Sequence, residues 1–456
     1  YLYTNRCGKP VDELWTNLGP EVINISYTGS RSIIHRVIQI DFSSISAFLT
    51  GFSTYPQPLR LRLRIFTIFF LYKQTHQAVR KGELSTIMKL VFDKADLVKS
   101  VGIAMKAVSG KTTMPILECI LIDASSNVIK FTSNDMELGI ETIVTGMILE
   151  RGIVALDAKI FSEIVRKLPD NQVTIETDEN LVTTITCEKA KFNIPGQSGE
   201  DFSYLPILET SDCVSISQFT LKELIRQTIF SIAANENNKL MTGELFEIKD
   251  NTLRVVSLDG HRIAIRRIEL KDSYPDRKVV VPGKTLNEIS KILSGEMDDQ
   301  IDIYFSENHI MFKFDDTTVV SRLIDGEYFR IDQMLSSDYE TKVTINKKEF
   351  LSCIDRATLL VKEGDKKPII IDIQDGAMEL QINSAMGSMK EEIDINKEGK
   401  DIMIGFNPKF LIDALRVIDD EEISIYLVNP KAPCFIRNEE ESYIYLILPV
   451  NFNSVR

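Results

Sequence analysis

From Met88 onward, apolar and polar positions follow two rhythms. Segments such as "LVTTITCEKAKFNI" (181–194), "HIMFKFDDTTVVSRLI" (309–324) and "APCFIRNEEESYIYLILPV" (432–450) alternate with period two and break at turn residues. That pattern predicts antiparallel strands. Other segments carry apolar residues every three or four positions, the spacing of one helix face. "LVFDKADLVKSV" from Leu90, "SQFTLKELIRQTI" from Ser217 and "VTINKKEFLSCI" from Val343 each predict a short strand, charged residues and an amphipathic helix. A second helix is predicted in "VALDAKIFSEIVRKL" (154–168), "VVVPGKTLNEISKIL" (279–293) and "MIGFNPKFLIDALRVI" (403–418). In its first copy Ile160, Phe161, Ile164, Val165 and Leu168 form one apolar stripe, with Lys159, Arg166 and Lys167 on the other face.

These segments are three copies of one unit. Along the strand-and-helix segment Phe92, Phe219 and Ile345 align, as do Leu97, Leu224 and Phe350, at separations of 127 and 126. In the second helix Lys159, Lys284 and Lys409 align at separations of 125 and 125, and Phe161, Leu286 and Leu411 with them. A repeat of this length is a whole domain, too long for one turn of a solenoid. Two helices and many strands per unit give an α+β class, with antiparallel sheets backed by helices. Polar, turn-prone stretches at 205–212 and 334–341 set the expected domains at 88–207, 213–334 and 340–456.

Residues 1–87 lack both rhythms and hold the only tryptophan, Trp15. "RKGE" (80–83) can be encoded by purine-rich codons resembling a ribosome-binding site, and Met88 makes a natural start. The stretch reads as upstream sequence, normally untranslated and unrelated to the domains; a genuine basic arm is the competing reading. Charge sharpens the contrast. Residues 1–87 hold ten Lys/Arg against five Asp/Glu, while the rest holds 43 against 61, a balance of −18. So acidic a body does not grip nucleic acid through its overall field. No apolar run approaches the ~20 residues of a membrane span. The six cysteines are scattered and form no CxxC pair, as expected of free thiols in a reducing cytoplasm.

Candidate chemistry centres on "SLDGHRIAI" (257–265), which sets Asp259 beside His261, one of four histidines. Asp-Gly between alternating apolar runs signals a hairpin turn. A binding surface is a second reading, and a hydrolase or nuclease using Asp259 and His261 a third. Catalysis needs a nucleophile or metal partner oriented by other groups, and none stands at a recognisable spacing. The acidic clusters "DMEL" (135–138) and "EMDDQ" (296–300) read more simply as solvated surface. No metal or cofactor is expected.

The repeat, together with "TTMPILECILID", "LDGHRIAI", "SRLIDGEYF", "IGFNPKFL" and the terminal "YLILPV", resembles the bacterial sliding clamps, the beta subunits of DNA polymerase III. The resemblance runs from Met88 to the C-terminus. It implies three clamp domains per chain and a ring of two chains joined head to tail. Helices would line a central hole that duplex DNA threads without sequence-specific contact, and the ring would have no catalytic activity. Implied partners are DNA polymerase III's catalytic subunit, the clamp loader and other proteins carrying a short clamp-binding peptide, with no membrane.

The resemblance also assigns residues. A pocket between the second and third domains would take a peptide bearing Gln followed by Leu and Phe. Its matching positions are Met241, Leu258, Gly260, His261, Arg262, Ile263, Phe329 and Met334, then Asn407, Phe410, Leu446, Leu448, Pro449 and Val450. Methionines and branched aliphatics suit an adaptable groove. His261 and Asn407 would supply polar contacts. Phe329, Gln333 and Asn451 depart from the residues common in the family, which bears on the rim and not on the apolar floor. Lys111, Lys159, Arg166, Lys284, Lys291, Lys409 and Arg416 would face DNA phosphates. Phe192 and Ile194 would form one side of the ring interface, Leu359 and Leu360 the other.

Overall fold

The computed structural model describes residues 87–452, apart from 111, 209–212, 235–237, 337 and 362–366. The readings for residues 1–86 and for Lys111 therefore fall outside the described residues.

Among the described residues six α-helices occur in three pairs: α1 (Lys94–Ala104) with α2 (Ala158–Lys167), α3 (Gln218–Arg226) with α4 (Gly283–Ser290), and α5 (Lys347–Thr358) with α6 (Pro408–Val417). Local chemistry starts several of them. Asp157 Oδ1 accepts from Ile160 N at 2.7 Å, Ser217 Oγ from Thr220 N at 3.0 Å, and Asn346 Oδ1 from Glu349 N at 3.1 Å. Each satisfies an amide that has no partner in the first turn. Each pair covers its own core. In the first domain Phe131 meets Phe92 and Phe161 edge to face at 6.0 and 6.2 Å. The second core gathers Phe246, Leu286 and Phe312, and the third Phe350, Ile404 and Leu411.

The sheets do not stop at the domain edges. Strand Thr317–Arg322 of the second domain pairs with Leu138–Val144 of the first, Val319 opposite Ile140. Strand Tyr443–Ile447 of the third pairs with Arg262–Pro282 of the second, Ile263 opposite Leu446. Among the strands that have a side without a ladder among the described residues are Ala190–Ser198, along residues 190–195, and Gly387–Asp394.

Two expectations are corrected. Counted from the caps Asp93, Ser217 and Asn346, the residues that align are Leu97, Leu221 and Phe350, so Phe219 and Leu224 stand three positions too late. An apolar helix face recurs every three or four residues, so a slip of three still matches apolar with apolar. The second-helix alignment holds, with α2, α4 and α6 beginning at equivalent positions. The α2 stripe also differs. Phe161, Val165 and Leu168 are buried, but Ile160 lies exposed, because Ala158 and Ser162 take the core-facing places beside Phe161.

Candidate functional site

The Asp-Gly turn is a hairpin between Gly243–Leu258 and Arg262–Pro282. Gly260 has φ +86°, a left-handed conformation that glycine adopts without strain. Asp259 Oδ1 accepts from the amides of His261 (3.0 Å) and Arg262 (3.2 Å), and Oδ2 takes Arg262 Nε at 3.0 Å. Its carboxylate is therefore spent on the turn. The His261 ring lies against Phe410, with centroids 6.1 Å apart. The two side chains expected of a hydrolase or nuclease do not work on one another, and that alternative is set aside.

The turn joins the domains. Arg262 is buried, with Nη1 2.7 Å from Asp413 Oδ2 on α6 and Nη2 donating to the Phe230 carbonyl at 2.6 Å. Its guanidinium sits 4.5 Å from the Phe410 ring centroid and 5.4 Å from that of Phe230. Buried charge is tolerated only when paired and hydrogen-bonded, and here every direction is answered. Arg262 thus rivets the hairpin of the second domain to the helix of the third.

Around this rivet the chain gathers a groove. Leu258, Ile263 and Leu446 are buried in one apolar cluster, with Met241 and Phe329 packed against it. Leu448 N donates to His261 O at 2.8 Å, placing Leu448 and Pro449 beside the turn. Val450 N donates to Gly405 O at 2.8 Å, and Phe452 follows against Gly405, where a Cβ would stand 2.6 Å from the Phe452 ring. Asn407 caps α6, its Oδ1 accepting from Lys409 N at 3.1 Å, so part of the polar contact expected of it serves the helix. Met334 and Leu448 are exposed apolar side chains at the junction. Sequence reasoning missed Tyr328, Phe230 and Asp413. Tyr328 lies buried beneath Phe329, rings 5.6 Å apart, in the "DGEYF" segment that carried the resemblance. Phe230 and Asp413 had no signal beyond being apolar and charged.

The expected basic residues sit on the exposed side of the second helix in each domain, and several are already paired. Lys284 meets Asp135, Lys291 Nζ meets Glu288 at 2.7 Å, and Arg416 Nη2 meets Asp355 at 3.4 Å. Arg166 donates to Ser162 Oγ at 2.6 Å. Lys159 and Lys409 are exposed at the starts of α2 and α6. Of the expected interface residues, Phe192 is 40% and Leu359 75% exposed, while Ile194 is buried and Leu360 packs against the third core.

No helix among the described residues is long and apolar enough to cross a membrane. Three family descriptions match consecutive parts of the chain: the N-terminal domain of the DNA polymerase III beta subunit over residues 88–206, its central domain over 215–329 and its C-terminal domain over 332–451. The chain is 33% identical over 375 residues to the beta sliding clamp of Staphylococcus epidermidis, covering 80% of this chain and 99% of that one, and equally to that of Staphylococcus aureus. Among solved structures it is similar to a putative DNA polymerase III beta subunit from Eubacterium rectale, with 72% identity and a TM-score of 0.78. It is also similar to the DNA polymerase sliding clamp of Bacillus subtilis, with 35% identity and a TM-score of 0.77. Each structural match covers 80% of this chain and 100% of the other. With three clamp domains in sequence and both junctions built as continuous sheets, the chain belongs to the DNA polymerase III beta-subunit family, the sliding clamps.

Proposed function

We infer that this chain is a DNA sliding clamp that works as a ring of two head-to-tail copies around duplex DNA. The observation that carries the reading is the pair of half-satisfied strands. Leu138–Val144 and its equivalent in the second domain each pair with the last strand of the following domain. Gly387–Asp394 holds the same position in the third domain, and Ala190–Ser198 is the last strand of the first. Pairing those two between copies repeats the junction geometry and closes the ring, and exposed Phe192 and Leu359 then gain cover. An unpaired strand edge invites such addition.

The domains are taken as 88–207, 213–334 and 340–456. The exposed Lys159, Lys409 and their neighbours meet phosphates without reading bases. Because Lys284, Lys291 and Arg416 are partly neutralised within the chain, attraction to DNA is weak and enclosure does the holding. The groove at the junction of the second and third domains takes the clamp-binding peptides of the polymerase's catalytic subunit, the clamp loader and other partners. The protein has no catalytic activity of its own and acts in the cytoplasm. The test is retention. Protein loaded on nicked circular DNA is expected to survive moderate salt and to leave once the circle is cut. Open binding would instead lose affinity steeply with salt, log K falling by roughly 0.9 per phosphate contact per decade. Equal dissociation from circular and linear DNA at one salt concentration would refute enclosure.

A further inference from the structure

The groove's rim includes a segment that packs at only a few points. Between the second and third domains the chain runs through Phe329 and the short turn Ile331–Gln333 to Met334. Tyr328 and Ile331 are buried anchors, while Arg330, Asp332, Gln333 and Met334 are exposed. Beside it lies a cleft of about 580 Å³, lined by Arg254, Lys278, Phe329, Asp332 and Gln333 among others. The turn therefore borders open space.

A salt bridge joins the strand wall of that cleft to the turn. Arg254, on strand Gly243–Leu258, has a side chain only 13% exposed, with Nε 2.6 Å and Nη2 2.5 Å from Glu247 Oε2. Lys278 Nζ occupies the other Glu247 oxygen at 2.6 Å. The guanidinium is thus held in place before it reaches the turn. Its Nη1 then donates to Asp332 Oδ1 at 2.6 Å. That hydrogen bond holds the Asp332 carboxyl below the usual carboxylate range, with the charges of Arg254, Lys278 and Arg267 adding to it.

We propose that Arg254 is a positioning residue for the peptide groove: through Asp332 it fixes the turn Ile331–Gln333, and with it Phe329 and Met334. The inference rests on the peptide reading of the groove and adds to it a residue that touches no peptide. A flexible rim lowers affinity because binding must order it, and a prearranged rim avoids that cost. The Asp332 carboxylate is three-quarters exposed, so its loss leaves global stability nearly unchanged and acts on the turn alone.

The experiment uses the full chain and a fluorescein-labelled short peptide carrying Gln followed by Leu and Phe. Asp332→Asn is expected to weaken binding about fivefold and to speed amide exchange across residues 329–334. The melting temperature should not move, and Asp332→Glu should restore most of both readouts. Arg254 itself is left intact, because removing it strands buried Glu247. Unchanged affinity and exchange in Asp332→Asn would overturn the positioning role alone. A parent chain that binds no peptide would overturn the groove reading and, with it, the role of Arg254 there.

Discussion

Glu244 lies 0% exposed on strand Gly243–Leu258, opposite Val281, and neither carboxylate oxygen has a hydrogen-bond partner. The neighbouring Thr228 hydroxyl gives its one proton to the Leu224 carbonyl at 2.7 Å. Burial therefore pushes the Glu244 pKa from 4.5 up to about 8, and the group is a neutral acid at pH 7. The same low-dielectric site and the nearby Glu244 raise the Tyr328 phenol, so it does not titrate in this window. A folded pKa above the unfolded one means that the unfolded chain releases its proton first. The protonated group's contribution is fully present below pH 4.5, is lost as pH rises, and is gone above pH 8. One pKa unit is about 1.4 kcal/mol, so 2.5 units at pH 7 amount to about 3 kcal/mol and the full shift to about 5 kcal/mol. Glu244→Gln has the same length and no charge, and should lack this slope. Urea unfolding followed by far-ultraviolet circular dichroism at pH 5, 6, 7 and 8 tests it. Relative to the variant, the parent should lose about 1.4 kcal/mol per pH unit between 5 and 7. A constant difference between the two chains from pH 5 to 8 would mean that Glu244 is already ionised in the fold, and would refute the reasoning.

Leu448→Lys places a charge on an exposed apolar position of the groove, where the fold tolerates it; peptide affinity should fall about tenfold by fluorescence anisotropy, and an unchanged Kd would place the site elsewhere. Phe192→Glu combined with Leu359→Glu should give monomers in sedimentation that still bind the peptide with parental affinity, since both side chains lie outside the groove. Persistence of the dimer at the same concentration would count against pairing of the two open strand edges.

The chain's local rhythm determined much on its own. Helix starts follow from capping residues such as Asp157 and Asn346, the hairpin from Asp259 and Gly260, and the three-fold repeat from spacing alone. The groove residues Leu258, Ile263 and Leu446 are named by the family resemblance alone: their strands are buried on both faces there, so alternation does not single them out. Other features were decided only in three dimensions. Lys284 reads as a free helix-face cation, yet it meets Asp135, which is 149 positions away in the chain. Arg262 is assigned to the groove by resemblance, with nothing in the sequence to name its partners, yet Asp413 and two aromatic rings enclose it. Glu244 opens "GELFEIK", where its charge alone would send it to solvent; it shares a strand face with Phe246 and Ile248, which pack in the second core, so the carboxyl is buried. Periodicity reports which face of an element is apolar, because that follows from backbone geometry over a few residues. It does not report what covers the opposite face. That depends on strand register and helix docking between segments far apart in sequence, and tertiary packing alone settles it.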